Sequence, residues 1–102
     1  MNIINYRLPS SDLASRKLAI IERNKIEQYI SKGNSIIKID MANISSISES
    51  YSDELFGVLV IRYGADKVLA SLDLLNAKKH VLLSIAQVIN RRAQEIELDL
   101  TA

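Results

Sequence analysis

Residues 36–57, with the sequence IIKIDMANISSISESYSDELFG, decide the fold. The isoleucine-rich beginning ends at Asp40 and has the composition of a β-strand. A serine-rich loop follows, and Ser50, Asp53 and Glu54 then supply the capping and acidic residues typical of a helix start. This order places polar groups at the carboxyl end of a strand and the amino end of a helix, where α/β proteins usually have their sites.

Composition excludes several classes of function. The chain has 102 residues, of which 48% are hydrophobic and 25% charged, with a net charge of +1. This balance gives no reason to expect nucleic-acid or anionic-membrane binding. With no cysteine and one histidine, thiolate chemistry and multi-histidine metal sites within one chain are excluded.

The chain also lacks the patterns of export and membrane insertion. Its first residues have no basic end, apolar stretch or small-residue cleavage site, as a signal peptide would. No uninterrupted apolar run is longer than that at residues 58–61, which is far shorter than the ~20 residues that span a bilayer. We therefore expect a soluble, cytoplasmic protein with no membrane partner.

The first half of the chain predicts two strands around a helix. Alternation at residues 4–8 predicts a first strand, and residues 9–12 supply candidate N-caps. A helical period follows over residues 13–32 and ends at Gly33. Residues 35–41 predict the second strand. The apolar residues of the helix that fall mainly on one side are Leu18, Ile21, Ile26, Tyr29 and Ile30.

A second helix is predicted over residues 51–63, with either Ser48 or Ser50 as its N-cap. Residues 58–61 alone would also suit a strand, but the acidic start and Gly64 at the end favour a helix. This helix is apolar almost all round, so it must be covered on more than one side. In a small domain this predicts a homodimer or a protein-partner site.

The last part predicts a third strand over residues 67–75 and a third helix over residues 77–95. Asn76 ends the strand and is a candidate cap for the helix. Residues 96–100 alternate acidic and aliphatic side chains, which suits either a short edge strand or the end of the helix. The apolar residues expected on the inner stripe of the helix are Leu82, Ile85, Ile89 and Ile96.

These elements predict one α/β domain over residues 1–102, with a mostly parallel sheet of three to four strands and about three helices. The carboxyl ends of parallel strands meet at one edge of the sheet. At that edge we expect Arg16, Asp40, Asn76 and the Asp53–Glu54 pair to form one polar network that fixes the serine-rich loop.

A family resemblance rests on a set of residues spread along the chain: Ser15, Arg16, Arg23, Ile26, Ile39, Asp40, Ile44, Ile47, the run at residues 50–57, Gly64, Asn76 and Arg92. With them the sequence resembles the STAS-like domain family of unknown function, distant relatives of the STAS domains of bacterial anti-sigma factor antagonists and sulfate transporters. Met41 and Tyr51 depart from the pattern, since aromatic residues and phenylalanine, respectively, are usual there.

The resemblance implies a single small STAS-like domain acting as a non-enzymatic regulatory module. Anti-sigma factor antagonists bind a kinase-like ATPase, which phosphorylates a serine in an Asp-Ser-Ser-Gly motif and so weakens binding. Alignment of the strand ends places Ser50 on that serine, although the Asp and the Gly are missing here. The simpler role for Ser50 is helix capping. The interaction surface that follows from the resemblance comprises Ser48, Ser50, Tyr51, Asp53, Glu54 and Phe56.

Two alternatives stay open. Some STAS relatives bind nucleotides, so the polar edge would suit a sensor of a small ligand. A small hydrolase or metal-dependent enzyme would use Asp40, Asp53 and Glu54. The enzyme is the weaker alternative, because the spacing gives no Ser-His-acid triad, no glycine-rich phosphate loop and no calcium-binding loop. We expect no cofactor and no metal.

Overall fold

A three-stranded parallel sheet organises the chain, and it confirms the predicted α/β class. The structure is a computed structural model that describes residues 2–101, with side chains for residues 2–98. Strands β1 (Asn2–Arg7), β3 (Ser35–Asp40) and β5 (Leu72–Leu75) pair in the order β1-β3-β5. The central strand is therefore the isoleucine-rich segment recognised in the sequence.

Two very short strands form a second parallel sheet. Strand β2 (Asp12–Leu13) pairs with β4 (Ser46–Ile47), and the Ser48 amide donates to the Leu13 carbonyl at 2.7 Å. The sequence pattern predicts a helix start at residues 12–13 and a loop at residues 46–47, so neither short strand was expected. This small sheet ties the connection after β1 to the serine-rich loop, so neither segment is independent of the other.

Helix α1 (Arg16–Lys32) begins three residues later than the pattern predicts. Its N-cap is Ser15, whose hydroxyl accepts a hydrogen bond from the Leu18 amide at 3.3 Å, and not a residue of the 9–12 segment. The helix ends as predicted at Gly33, which has a φ of 73° and donates its amide to the Ile30 carbonyl.

The buried face of α1 agrees with the prediction only in part: Ile26 and Ile30 are buried as predicted. Leu18 and Ile21 are 53% and 47% exposed, whereas Glu22 and Arg23 are buried. These two charged residues have partners inside the domain, namely Tyr6 and Glu54. Because a buried charge is tolerated only when it is paired, these partners allow the helix to turn a partly polar stripe inward.

The second predicted helix is present but contains a wider turn. Helix α2 (Glu49–Ser52), a π-helical turn (Asp53–Gly57) and helix α3 (Val58–Tyr63) follow one another without a break. Together they are the central helix (residues 49–63). Its strand alternative is excluded. The π-turn is marked by the Val58 amide, which donates to the Asp53 carbonyl five residues earlier.

The apolar surface of the central helix is covered within the chain. Leu55, Phe56, Leu59 and Val60 are fully buried, while Ile61 is largely exposed. Helix α1 contacts the π-turn on one side, and the last helix contacts it on the other. The surplus apolar surface that led us to predict a homodimer through this helix is therefore mostly absent.

The prediction of a third strand over residues 67–75 is wrong for residues 67–71. Residues 65–71 form helix α4 (Ala65–Ser71), and only Leu72–Leu75 form β5. Gly64, with a φ of 86°, separates α3 from α4 and permits the new start. Val68 is buried while Leu69 and Ala70 are exposed, as expected for one helical turn against the core.

Helix α5 (Lys79–Thr101) settles the alternative left open for the tail, because residues 96–100 are helical. It begins later than predicted, and Asn76 precedes it by three residues. Its buried stripe is Val81, Ile85 and Val88, whereas Leu82 is 45% exposed. The parallel sheet therefore has three strands among the described residues. Met1 and Ala102 of the predicted domain lie outside them.

Gly57 allows α5 to approach the central helix closely. A Cβ atom at this position would lie 2.6 Å from the Asp53 Oδ1 atom and 3.1 Å from a Val88 methyl carbon. It would also lie 3.2 Å from the Arg92 Cγ atom. The glycine is thus required by packing, since its backbone has ordinary helical dihedral angles.

We expect Gly57→Ala to lower the free energy of unfolding by about 1–3 kcal/mol, because the new methyl group overpacks the contact with α5. Chemical denaturation measures the loss. The exposed Ala70→Ser on α4 is the control and should change stability by less than about 0.5 kcal/mol. An alanine variant as stable as the natural chain would contradict the packing role of Gly57.

Candidate functional site

The serine loop (residues 42–48) lies at the carboxyl edge of the sheet and is held from two sides. The Asp40 Oδ1 atom accepts the Ala42 amide at 3.0 Å. The Lys78 ammonium donates to the Ala42 and Ile44 carbonyls at 3.1 and 3.0 Å, and the His80 Nε2 atom lies 2.7 Å from the Ser45 carbonyl. The sequence pattern gives neither Lys78 nor His80 a role.

Asp53 forms the most complete ion pair of the domain. Its carboxylate accepts two hydrogen bonds from Arg92, at 2.7 Å from Nε and 2.8 Å from Nη2. Arg91 and Arg16 lie farther away, at 3.5 and 3.7 Å. The hydrogen bond from Arg92 lowers the pKa of the Asp53 carboxyl below its ordinary value, and the nearby positive charges add to this. Asp53 therefore joins the central helix to α5.

Glu54 joins the central helix to α1. The Arg23 guanidinium contacts the Glu54 carboxylate and donates to the Glu54 carbonyl at 3.1 Å. Arg16, at the start of α1, adds a contact at 3.4 Å. Arg23 is buried and pairs also with Glu27 at 3.6 Å. The main partner of Asp53 is therefore on α5, and the main partner of Glu54 is on α1.

Asp40 belongs to a separate group. It accepts hydrogen bonds from Arg7 at 3.1 Å and Asn76 at 3.4 Å, besides the Ala42 amide. These bonds, the backbone one foremost, lower the pKa of the Asp40 carboxyl. The structure brings Asp40 and Asn76 together, but Arg16 contacts Asp53 and Glu54 instead. Among the described side chains, the two groups share no ion pair, so the single network expected from the sequence is two.

The serines of the interaction surface have different surroundings. Ser48 is the N-cap: its hydroxyl accepts the Tyr51 amide at 3.0 Å and donates to the Ala14 carbonyl at 3.0 Å. Ser50 lies exposed in the first turn, so it is not the cap. Tyr51 and Phe56 are 1% and 0% exposed. This burial is inconsistent with contacts between these two side chains and a partner.

A buried polar cluster lies beneath the helix start, and the sequence pattern did not reveal it. The Tyr6 hydroxyl donates to Glu22 Oε1 at 2.5 Å. Burial, together with the charge of Glu22, raises the pKa of Tyr51 to about 12, and burial also raises that of Tyr6. The Tyr51 and Ser52 hydroxyls have no hydrogen-bond partner among the described residues. Helical periodicity could not predict this cluster, because Glu22 reads as a surface residue.

Among the concave surfaces of the described residues, two have a volume of about 350 Å³ each. The first, the apolar groove, lies between α4, β5 and α5. The second, the strand-end pocket, lies at the carboxyl ends of the three strands and is lined mainly by polar residues. Within residues 2–98 no group of three or more histidine, aspartate or glutamate side chains is placed to hold a metal ion. No helix in the described part of the chain is long and apolar enough to cross a membrane.

Comparison with protein families gives one match. The model of the STAS-like domain of unknown function (DUF4325) matches residues 23–82, which is more than half of the chain. The chain belongs to this STAS-like family. No curated protein and no solved structure matches it.

The STAS-like match contains the run at residues 50–57, and the structure gives that run a physical explanation. Asp53 accepts a hydrogen bond from Arg92, and Glu54 forms an ion pair with Arg23. Gly57 allows α5 to pack closely against the run. Arg16 and Arg92 lie outside the matched region, although the structure brings both to the run. Much of the conspicuous motif therefore serves helix packing.

We expect Arg92→Ala to lower the free energy of unfolding of the STAS-like domain by roughly 2–4 kcal/mol, because it leaves the buried Asp53 carboxylate without its main partner. Arg16→Ala should cost at most ~1 kcal/mol, since the Arg16 side chain is 50% exposed and its contacts are longer. Urea denaturation compares the two variants. Equal losses would contradict this assignment.

The pH dependence provides an internal control for that comparison. A carboxyl whose pKa is lowered by folding contributes stability above its unfolded pKa of about 4, and loses it as the pH falls through the lower folded value. The difference between the natural chain and Arg92→Ala should be constant near neutral pH and shrink in acid. A difference that persists in acid would show that Arg92 acts through packing of its alkyl chain.

The two serines also differ in their expected effect on stability. Ser48→Ala removes a cap and should lower the free energy of unfolding by about 1 kcal/mol. Ser50→Ala should change it by less than about 0.5 kcal/mol, because Ser50 is exposed and caps nothing. Thermal unfolding measured by circular dichroism distinguishes these outcomes. A larger loss for Ser50→Ala would reverse the capping assignment.

Proposed function

We propose that this STAS-like domain is a non-enzymatic regulatory module that binds a protein partner, of the kinase-like ATPase class. The observation that carries the proposal is the apolar groove. It is lined by Ala65, Leu69, Leu74, Leu82, Ile85, Ala86, Ile89, Asn90 and Ala93, with one polar residue, Asn90, among them. An exposed apolar surface of this kind on a small domain is typical of protein interaction sites.

The groove continues onto exposed leucines. Leu69 and Leu82 line it and are 62% and 45% exposed. Leu83, on the neighbouring outer side of α5, is 52% exposed. A partner that buries these three side chains gains roughly 1.5–3 kcal/mol for each one that becomes fully buried, before the entropic cost of association. We therefore place the partner surface on α5 and α4, not on the central helix.

The start of the central helix contacts a different face of α5, where Glu49 lies beside Ser84, Gln87, Val88 and Arg91, none of which lines the apolar groove. Arg91 of α5 pairs with Glu49 at 2.5 Å, one residue before Ser50. A phosphate on Ser50 would add about two negative charges and compete with Glu49 for Arg91. Asp53 and Glu54 would repel it only weakly, because arginines already pair with both. We propose that phosphorylation of Ser50 weakens partner binding through this exchange.

The test begins with a tagged chain in cells that express it naturally. The partner is captured, identified by mass spectrometry, purified, and its affinity measured by calorimetry. Leu82→Lys should weaken binding at least about tenfold, because it places a charge in the groove. Ser50→Asp should weaken binding in part, whereas Ser50→Ala should retain it.

The matched control is Leu18→Lys on α1, since Leu18 is 53% exposed and lies away from the groove residues. This variant should bind like the natural chain. Unchanged affinity for Leu82→Lys would contradict the groove as the partner surface. Equal affinities for the three versions of residue 50 would show that the helix start has no switching role.

The enzyme alternative receives no support from a specific observation. Asp53 and Glu54 are each engaged by arginine side chains, and Asp40 accepts three hydrogen bonds. A general base or a metal ligand needs a carboxylate that can turn to its substrate or ion. Absence of catalysis remains a prediction, which a direct assay would have to test.

A further inference from the structure

The strand-end pocket lies on the sheet face opposite the helices. Alternation along β3 turns Ile37 and Ile39 toward the helical layer, where they are fully buried. Lys38 and Asp40 therefore belong to the other face. The strand register places Asn5 beside Lys38 and Arg7 beside Asp40. Parallel sheets are usually covered on both faces, so this open, polar face is unusual.

Two cationic side chains converge on this pocket with free donors. The side chain of Lys38, on the central strand, forms no ion pair or hydrogen bond with any described residue, and it lines the pocket. Arg7 uses only its Nη2 atom, toward Asp40, which leaves the other guanidinium N–H groups available. The pocket thus offers an ammonium group and part of a planar guanidinium group, the usual donors for an oxyanion.

Asp40 positions the site and occupies one N–H group of Arg7 and one of Asn76, which leaves their other N–H groups to a ligand. It is already bound to Arg7, Asn76 and the Ala42 amide, and these contacts fix the directions of Arg7 and Asn76. Asn76 has a φ of 60°, a left-handed conformation that aims its amide side chain at this edge. Asp73 lies beside Lys38 in the strand register, and its negative charge opposes the binding of an anion at this surface.

We propose that the strand-end pocket binds the phosphate group of a small phosphomonoester, with Lys38 and Arg7 as its charged ligands and Asn76 as a neutral donor. The volume of about 350 Å³ exceeds what a phosphate ion alone needs, so an organic group can accompany it. Leu75 supplies an apolar surface for that group. The site is distinct from the apolar groove, so it stands or fails independently of the proposed function.

The experiment titrates the full chain with inorganic phosphate and follows backbone amide shifts by NMR. Sodium chloride at equal ionic strength is the comparison, and glycerol phosphate tests the contribution of an organic group. We expect saturable shifts at residues 5–7, 38–40 and 75–76, with tighter binding of glycerol phosphate. Lys38→Gln should raise the apparent dissociation constant at least about tenfold.

Two further variants separate a site from general charge attraction. Asp73→Asn removes the opposing charge and should tighten phosphate binding. Lys17→Gln removes an exposed lysine of α1 and should leave it unchanged. Shifts that do not saturate, or equal weakening by Lys38→Gln and Lys17→Gln, would overturn the proposal. Because Lys38 lies on the open face, its variant is expected to keep the fold, which the amide spectrum itself verifies.

Discussion

The buried pair between Asp53 and Arg92 is the constraint on which the arrangement of the helices depends. Desolvating a carboxylate is costly, and the two hydrogen bonds from Arg92 offset most of that cost, with Arg91 and Arg16 adding weaker contacts. Their geometry fixes the distance and rotation of α5 against the central helix. Gly57 is needed because α5 then lies too close for any side chain. The serine loop depends on the same helix, since Lys78 and His80, at the beginning of α5, hold its carbonyls.

The neighbouring ion pair between Glu54 and Arg23 fixes the position of α1 against the central helix in the same way. Two consecutive acids therefore hold two helices on opposite sides of the central helix, and apolar side chains fill the space between them. Charged residues here determine orientation, whereas burial of Leu55, Phe56 and Leu59 supplies most of the driving force. This division gives the conspicuous acids of the sequence a structural role.

Strand and helix types were predictable where local pattern and tertiary surroundings agree. The isoleucines of β3 and the N-cap Ser48 before the central helix are examples. The pattern failed where tertiary contacts outweighed it. Glu22 and Arg23 are buried because distant partners accept them, and residues 67–71 are helical although their alternation suits a strand. The separation of Asp40 from Arg16 depends on side-chain directions, which a sheet-edge argument cannot supply.

The π-turn limits how the length of this chain can change during evolution. Each residue of a helix rotates the next by about 100°, so one additional or missing residue in the turn would reorient everything beyond it. Asp53 and Glu54 would then no longer face α5 and α1 while Leu59 and Val60 stay inside. Insertions and deletions should therefore be excluded from residues 53–57.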